Sequence, residues 1–182
     1  VNGQSQILIY DILDQLVRVE DEDGTVLAKY AYDPFGRRLF KDVAGIQTYY
    51  VYSSEGLVAE FDGAGSLHKS YGYAPNSVWS SNPLWIKQND SYYWYNTDHR
   101  GAPCKLMDSQ GQTVWEAFYD SFGNCKIQTS EVINNLRLPG QYFDVETGLY
   151  YNRYRYYDPR TGRYLTADPL GDGVNLYTYA SG

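Results

Sequence analysis

Two aspartates near the C-terminus, Asp158 and Asp168, have the side chain that acid–base hydrolysis of a peptide bond requires, and each begins an Asp-Pro turn. Such hydrolysis uses two carboxyl groups that share one proton, so that one activates water while the other protonates the leaving group. The competing interpretation is structural, because an Asp-Pro pair also forms a turn. We adopt the structural interpretation for Asp11, Asp33 and Asp120, which stand in similar turns, and we expect Asp33 to lie far from the two C-terminal aspartates.

The other reactive residue types do not form a recognisable site. His68 and His99 are isolated and have no further ligand at metal-binding spacing, so we expect no metal and no cofactor. The sequence contains no phosphate-binding loop, nucleophile elbow or Cys–His pair. Cys104 and Cys125 each follow a glycine turn on neighbouring predicted strands, which leaves a disulfide open. Free, partly buried thiols are favoured, because the chain is not a small disulfide scaffold.

A repeated motif organises the chain around these residues: Tyr-Asp, followed within a few residues by Gly and often by Arg. It is clearest at residues 32–38, 119–124 and 157–163. Successive copies, some of them degenerate, begin at residues 10, 32, 52, 73 and 95, so the period is roughly 20 residues. A period of this size is typical of stacked units that bury their apolar faces only against their neighbours.

A second set of turns, rich in Asp and Gly, lies midway between the Tyr-Asp copies. Turn centres therefore fall about ten residues apart, near residues 24, 36, 45, 56, 65, 76, 90, 101, 111 and 123. This spacing leaves room for one short strand between turns, so each period is predicted to be one β-hairpin. The sequence thus predicts an all-β chain of consecutive antiparallel β-hairpins that form one curved, spiralling sheet. The best helical candidate is a single turn within Ser130 to Leu138, where the repeat is interrupted.

The composition limits the partners of the chain. Its 182 residues are 43% hydrophobic, enough for one sizeable core or a length of repeat stack. The net charge of −7 makes nucleic acid and anionic membranes poor partners, and no apolar run approaches membrane-spanning length. The N-terminus lacks the features of a signal peptide. The repeat pattern is interrupted at both ends, so we expect a piece of a longer polypeptide whose unpaired strand edges favour self-association.

The C-terminal half resembles a known family. The resemblance is to the Rhs-associated core domain; it covers residues 95–182 and is clearest at residues 95–103, 119–124, 138–159, 161–171 and 175–177. Residues 1–94 resemble the YD repeats that precede such a core, so two domains are predicted, 1–94 and 95–182. The chain is thus similar to the Rhs/YD-repeat polyproteins, whose relatives include the C component of insecticidal Tc toxins, bacterial contact-dependent effectors and the animal teneurins.

The resemblance implies both an architecture and an activity. In this family the hairpin ribbon spirals into a hollow shell that encapsulates a C-terminal toxin of the same polypeptide, and the core domain closes one end. In many members the core cuts the chain upstream of the toxin by an aspartyl-type autoproteolysis. By motif position, the essential Arg and Asp of the family match Arg155 and Asp168, and Asp158 is the candidate second carboxylate. Arg155 would orient a carboxylate through bidentate hydrogen bonds, unless it is a solvated strand residue.

The resemblance also implies partners and a place of action. The expected partners are the toxin domain and secretion-system or toxin-complex proteins, and the expected localisation is secreted or at the cell surface. In the family the scissile bond follows a further Asp-Pro-x-Gly copy, which this sequence does not contain, so the chain is expected not to cut itself. The alternative function is a cell-surface carbohydrate-binding or adhesion module, because aromatic-rich β surfaces stack on sugar rings.

Overall fold

The computed structural model describes residues 5–171 and 175–179 and consists of strands, turns and irregular segments in that part of the chain. Twelve strands are hydrogen-bonded in sequence order into one antiparallel sheet: β1 (Gln6–Tyr10), β2 (Leu16–Asp21), β3 (Val26–Tyr32), β4 (Arg38–Val43), β5 (Ile46–Tyr52), β6 (Leu57–Asp62), β7 (Leu67–Tyr73), β8 (Pro83–Gln88), β9 (Ser91–Thr97), β10 (Pro103–Met107), β11 (Thr113–Tyr119) and β12 (Cys125–Ser130). Four shorter strands form a second sheet in the order β13 (Tyr142–Asp144), β14 (Leu149–Asn152), β15 (Arg155–Asp158) and β16 (Arg163–Tyr164). The predicted all-β chain of consecutive antiparallel hairpins is confirmed.

The turns between these strands form where the sequence predicts them. Each of the ten predicted turn centres has a residue with positive φ: Gly24, Gly36, Gly45, Gly56, Gly65, Asn76, Asp90, Gly101, Gly111 and Gly123. In most of these turns an aspartate carboxylate also accepts the backbone N–H groups two and four residues later, as Asp11 and Asp120 do. These bonds replace strand pairing where the chain reverses. The structural interpretation of Asp11 and Asp120 is therefore confirmed.

By backbone proximity the chain divides into two compact units, Tyr50–Tyr142 and a unit made of Val1–Tyr49 with Phe143–Gly182. This division follows spatial proximity, whereas the predicted boundary at residues 94 and 95 follows motif resemblance and remains a prediction. The motif-based boundary falls inside β9.

In the unit Tyr50–Tyr142, one face of the sheet buries aromatic and aliphatic side chains, including Tyr71, Ile86 and Trp115. Residues 131–142 include further buried side chains of this unit, and the Tyr95 hydroxyl donates to Asn134 Oδ1 at 2.9 Å.

The predicted helical turn within Ser130 to Leu138 is wrong. The strand β12 continues to Ser130, and the following residues are irregular. Their backbone groups are bound by side chains instead: Asn134 Oδ1 accepts the N–H of Leu136, and Arg137 Nη1 donates to the carbonyls of Asn134 and Leu136 at 2.8 Å. Side-chain bonds of this kind compete with helical backbone pairing.

The second unit carries the sheet β13–β16. Tyr150, Tyr157 and Tyr164 form a buried cluster in this sheet. Tyr157 on β15 lies opposite Tyr150 on β14 and opposite Tyr164 on β16, so the three side chains are neighbours across the strands. Tyrosine suits this sheet, since each ring fills the core while its hydroxyl can still find a polar partner.

Cys104 and Cys125 are not joined in a disulfide and stay as thiols, as the sequence favoured, and both are half-buried. They lie on β10 and β12, which flank β11. Burial raises the pKa of both thiols, so both are protonated at neutral pH. In the described part of the chain, no helix has the length and apolar character that crossing a membrane demands.

Candidate functional site

The predicted site residues lie on or beside the sheet β13–β16. Arg155 is the first residue of β15 and Asp158 is the last, while Asp168 follows β16 in the turn Asp168–Gly171. The adjacent segment, residues 175–179, returns to this region, because the N–H groups of Tyr164 and Asp168 donate to the carbonyls of Tyr177 and Leu176. The strand and the returning segment together hold Arg155 and Asp168 side by side.

Arg155 and Asp168 form an ion pair. Arg155 Nη2 lies 2.9 Å from Asp168 Oδ2, and Arg155 Nη1 donates to the carbonyl of Leu176 at 3.1 Å. The same carbonyl accepts the N–H of Asp168 at 2.9 Å, so Leu176 connects the two residues a second time. The other carboxylate oxygen, Asp168 Oδ1, accepts the N–H of Leu170. The Asp168 side chain keeps 23% of its surface exposed, which leaves it accessible to water.

Asp158 is more buried, and both oxygens of its carboxylate are bound by Arg160. Its side chain is 8% exposed, and both carboxylate oxygens accept hydrogen bonds from the Arg160 guanidinium at 2.9 and 3.0 Å. Asp158 Oδ1 also accepts the N–H of Arg160, and its backbone carbonyl accepts the N–H groups of Thr161 and Gly162. These are the contacts of a turn-forming aspartate.

The two C-terminal aspartates line different clefts. Asp168 lines a cleft of about 470 Å³, whereas Asp158 and Arg160 line one of about 270 Å³. No hydrogen bond joins the two carboxylates within residues 5–171 and 175–179. The catalytic role of Asp158 beside Asp168 remains a prediction, and this arrangement does not itself form a proton-sharing pair.

The expectation that Asp33 lies far from this region is wrong. Asp33 and Asp14 line the same cleft as Asp168, together with the apolar side chains of Phe35 and Tyr154. The Asp33 carboxylate accepts two turn N–H groups and the Arg37 Nε–H at 2.6 Å. Burial by itself raises the pKa of Asp33, but the hydrogen bonds and the charge of Arg37 together outweigh it and lower that pKa, so Asp33 remains ionised at neutral pH. Asp33 is therefore a turn former that also shapes the cleft.

A second polar cluster, which the sequence did not predict, is buried deeper in the same unit. Asp144 is fully buried and accepts hydrogen bonds from Arg38 Nη2 at 2.9 Å, from Arg38 Nη1 and from Lys41 Nζ at 3.0 Å. Lys41 also pairs with Glu146 at 3.1 Å, and the Tyr30 hydroxyl donates to Glu146 at 2.8 Å. We call these five residues, Tyr30, Arg38, Lys41, Asp144 and Glu146, the buried ion cluster.

The two acids of the buried ion cluster respond to their surroundings in opposite ways. Burial by itself raises the pKa of Asp144, but the charges of Arg38 and Lys41 outweigh it and lower that pKa. Burial and the nearby charge of Asp144 raise the pKa of Glu146. The sequence signal near this cluster is a pair of consecutive arginines: Arg37 lies in the turn before β4, and Arg38 is the first residue of that strand.

Comparison with known proteins identifies what the chain is similar to. The family model for the teneurin YD-shell matches residues 2–180. The chain is 33% identical over 212 residues to double-stranded DNA deaminase toxin A of Burkholderia cenocepacia, which covers 98% of this chain and 15% of that protein. It is 31% identical over 216 residues to toxin protein Tse5 of Pseudomonas aeruginosa, covering 98% of this chain and 16% of that protein.

The fold is also similar to a solved structure. The crystal structure of TcdB2-TccC3-TEV matches with a TM-score of 0.72 and 21% identity, over 100% of this chain and 10% of that one. The chain thus spans about a sixth or less of the length of the proteins that it matches.

Proposed function

Since the chain belongs to the teneurin YD-shell family, we propose that it is part of a toxin-encapsulating shell, and that its C-terminal part supports self-cleavage of the parent polypeptide upstream of the toxin. Both curated relatives are named as toxins, and in each of them most of the length lies outside the segment that matches this chain. That length leaves room for an enclosed toxin domain. Secretion, and association with toxin-complex proteins, belong to the same proposal.

The ion pair between Arg155 and Asp168 is the observation that carries the cleavage part of the proposal. A carboxylate that acts on a peptide bond must be oriented and reachable. Asp168 meets these needs, because Arg155 holds one oxygen at 2.9 Å, a turn amide holds the other, and the side chain opens into a cleft. In the proposed reaction Asp168 takes the proton of the attacking water, and a second carboxyl group gives a proton to the leaving nitrogen.

Asp158 is the first candidate for the second carboxyl group. Asp158 is held by Arg160 and faces another cleft, so it can act only if this turn rearranges. The further Asp-Pro-x-Gly copy that the family resemblance implies downstream is the alternative donor.

The proposal is tested in the full-length parent polypeptide by separating shell and toxin on a denaturing gel after purification. Asp168→Asn is expected to leave the chain uncut, because removal of a general acid–base group typically slows a reaction by about 10²- to 10⁴-fold. Arg155→Ala is expected to slow cleavage by loss of orientation, and Asp158→Asn separates a role in catalysis from a role in the turn. Circular dichroism of each variant verifies that the shell remains folded.

Asp120→Asn is the matched control. Asp120 stands in an equivalent turn, where its carboxylate accepts turn N–H groups as that of Asp168 does, and it is not among the residues that line the Asp168 cleft. Asp33 is unsuitable for this purpose because it shares that cleft. Two bands from Asp168→Asn would refute the aspartyl mechanism, and uncut chains from both Asp168→Asn and Asp120→Asn would indicate a folding defect. A native parent that is never cut would favour the binding or adhesion alternative.

A further inference from the structure

Tyr164 lies directly against the guanidinium group of Arg155. The distance from Arg155 Cζ to the centre of the Tyr164 ring is 3.7 Å, and Tyr164 is only 6% exposed. A guanidinium over an aromatic ring is attracted by the negative face of the ring, and the attraction strengthens when water is excluded. The Arg155 side chain is itself 15% exposed, so little water reaches this contact.

The ring contact and the hydrogen bonds of Arg155 use different parts of the guanidinium. This group is planar and its N–H donors point outward within the plane. Nη2 is used by Asp168 and Nη1 by the carbonyl of Leu176, while the Tyr164 ring lies close to the carbon at the centre of the group. A ring held in place therefore limits how the guanidinium can tilt, and so limits where its donors point.

Tyr164 is itself held from several sides. Its hydroxyl accepts a hydrogen bond from Asn152 Nδ2 at 2.7 Å, and its backbone N–H donates to the carbonyl of Tyr177 at 2.9 Å. Tyr157 lies opposite it on β15, with the two rings edge to face at 5.5 Å. Asn152 in turn lies opposite Arg155 in the pairing of β14 with β15. Burial raises the pKa of Tyr164, so the hydroxyl is neutral and the ring brings no charge of its own to the pair.

We propose that Tyr164 is a positioning residue for the self-cleavage reaction: its ring fixes the guanidinium plane of Arg155, and Arg155 thereby fixes the carboxylate of Asp168. This inference rests on the proposed function. In this role the negative charge of the ring face is required, whereas packing alone would require only the shape of the ring.

The test compares two rings of nearly the same shape at position 164 of the parent polypeptide. One variant is Tyr164→Phe, which keeps the negative ring face and loses the hydroxyl. The other places pentafluorophenylalanine at this position by stop-codon suppression, which keeps an aromatic ring but reverses the charge distribution of its face. Cleavage is followed over time after pulse labelling in cell-free translation, and circular dichroism compares the folding of the two products.

Tyr164→Phe is expected to cleave within about threefold of the native rate, and the fluorinated variant roughly 5- to 30-fold more slowly. Equal rates for the two variants would overturn the inference, because packing by the ring would then be sufficient. Asp168→Asn is measured in parallel. If Asp168→Asn still cleaves, the proposed function itself is wrong; if it blocks cleavage while the two ring variants behave alike, only the role of Tyr164 is wrong.

Discussion

Asp144→Asn is expected to destabilise the protein more than any exposed charge substitution, because Asp144 is the fully buried counter-charge of two cations. The substitution keeps the size of the side chain and part of its hydrogen bonding. It leaves the positive charges of Arg38 and Lys41, which are also buried, with Glu146 as the one remaining acid of the buried ion cluster.

Removing one partner from a buried ion pair typically costs about 3–5 kcal/mol of unfolding free energy. We expect a loss of that size at pH 7, where native Asp144 is ionised because its pKa is lowered. The contribution of a group with a lowered pKa is present above its unfolded pKa, near 3.9, and is lost as the pH falls through the folded value. The difference between native and variant should therefore shrink in acid.

The measurement is urea unfolding followed by near-ultraviolet circular dichroism, with an unchanged denaturant slope as the sign that only stability has changed. The four tryptophans all lie within residues 50–142, so their fluorescence follows that unit separately. Asp21→Asn is the matched control, since Asp21 only accepts turn N–H groups, which an Asn can also accept. It should change stability by less than about 0.5 kcal/mol.

A second variant checks the cause. Arg38→Met combined with Asp144→Leu removes both charges and should recover at least half of the loss, because apolar groups often replace a buried ion pair at little cost. A loss below about 1 kcal/mol for Asp144→Asn, or a double variant less stable than the single one, would refute the reasoning that an unbalanced buried charge is responsible.

Three further outcomes follow from the fold. Gly36→Ala should lower the free energy of unfolding in urea by roughly 2–4 kcal/mol, because φ is +74° and the added Cβ would lie 2.4 Å from the Tyr154 ring. Gly45→Ala, where φ is +84° and the space around the added Cβ is open, should lower it by only about 1 kcal/mol. Equal losses for the two variants would contradict the steric argument. The native protein is expected to gain stability as the pH falls from neutral toward about 4.3, because the raised folded pKa of Glu146 makes its ionised form unfavourable. Glu146→Gln should abolish this gain, and an unchanged pH profile of stability would exclude Glu146 as its source. Light scattering of the isolated chain should show a dimer or larger assembly, since unpaired strand edges and exposed apolar side chains favour association, and a monomer at high concentration would count against it.

The candidate site was only partly predictable. Arg155 and Asp168 were found through motif positions, and the structure places them 2.9 Å apart. The motif did not distinguish Asp158 from Asp168, because both residues begin an Asp-Pro turn. A carboxylate can be bound by a neighbouring arginine or can face a cleft. Which of these occurs depends on chain segments that are distant in sequence, such as residues 175–179.

The sequence by itself determined the turns, the strands between them and their order in the sheet. Turn chemistry is local: an aspartate binds N–H groups two and four residues later, and a glycine or asparagine supplies positive φ. Hairpin order then follows, because adjacent strands joined by short turns pair with each other. For this reason a period read from Tyr-Asp and Gly was enough to predict consecutive hairpins, and the structure pairs twelve strands in sequence order.

Only the tertiary structure decided which polar side chains are buried and with what. Arg37 and Arg38 are adjacent residues of the same type, Arg37 in the turn and Arg38 at the start of β4. Arg37 binds Asp33, four residues away, whereas Arg38 binds Asp144, 106 residues away. No local pattern distinguishes the two arginines, because the inward side of β4 is defined by the strand that packs there. Charge burial is a property of the assembled core, and it appears only when β13 brings Asp144 to β4.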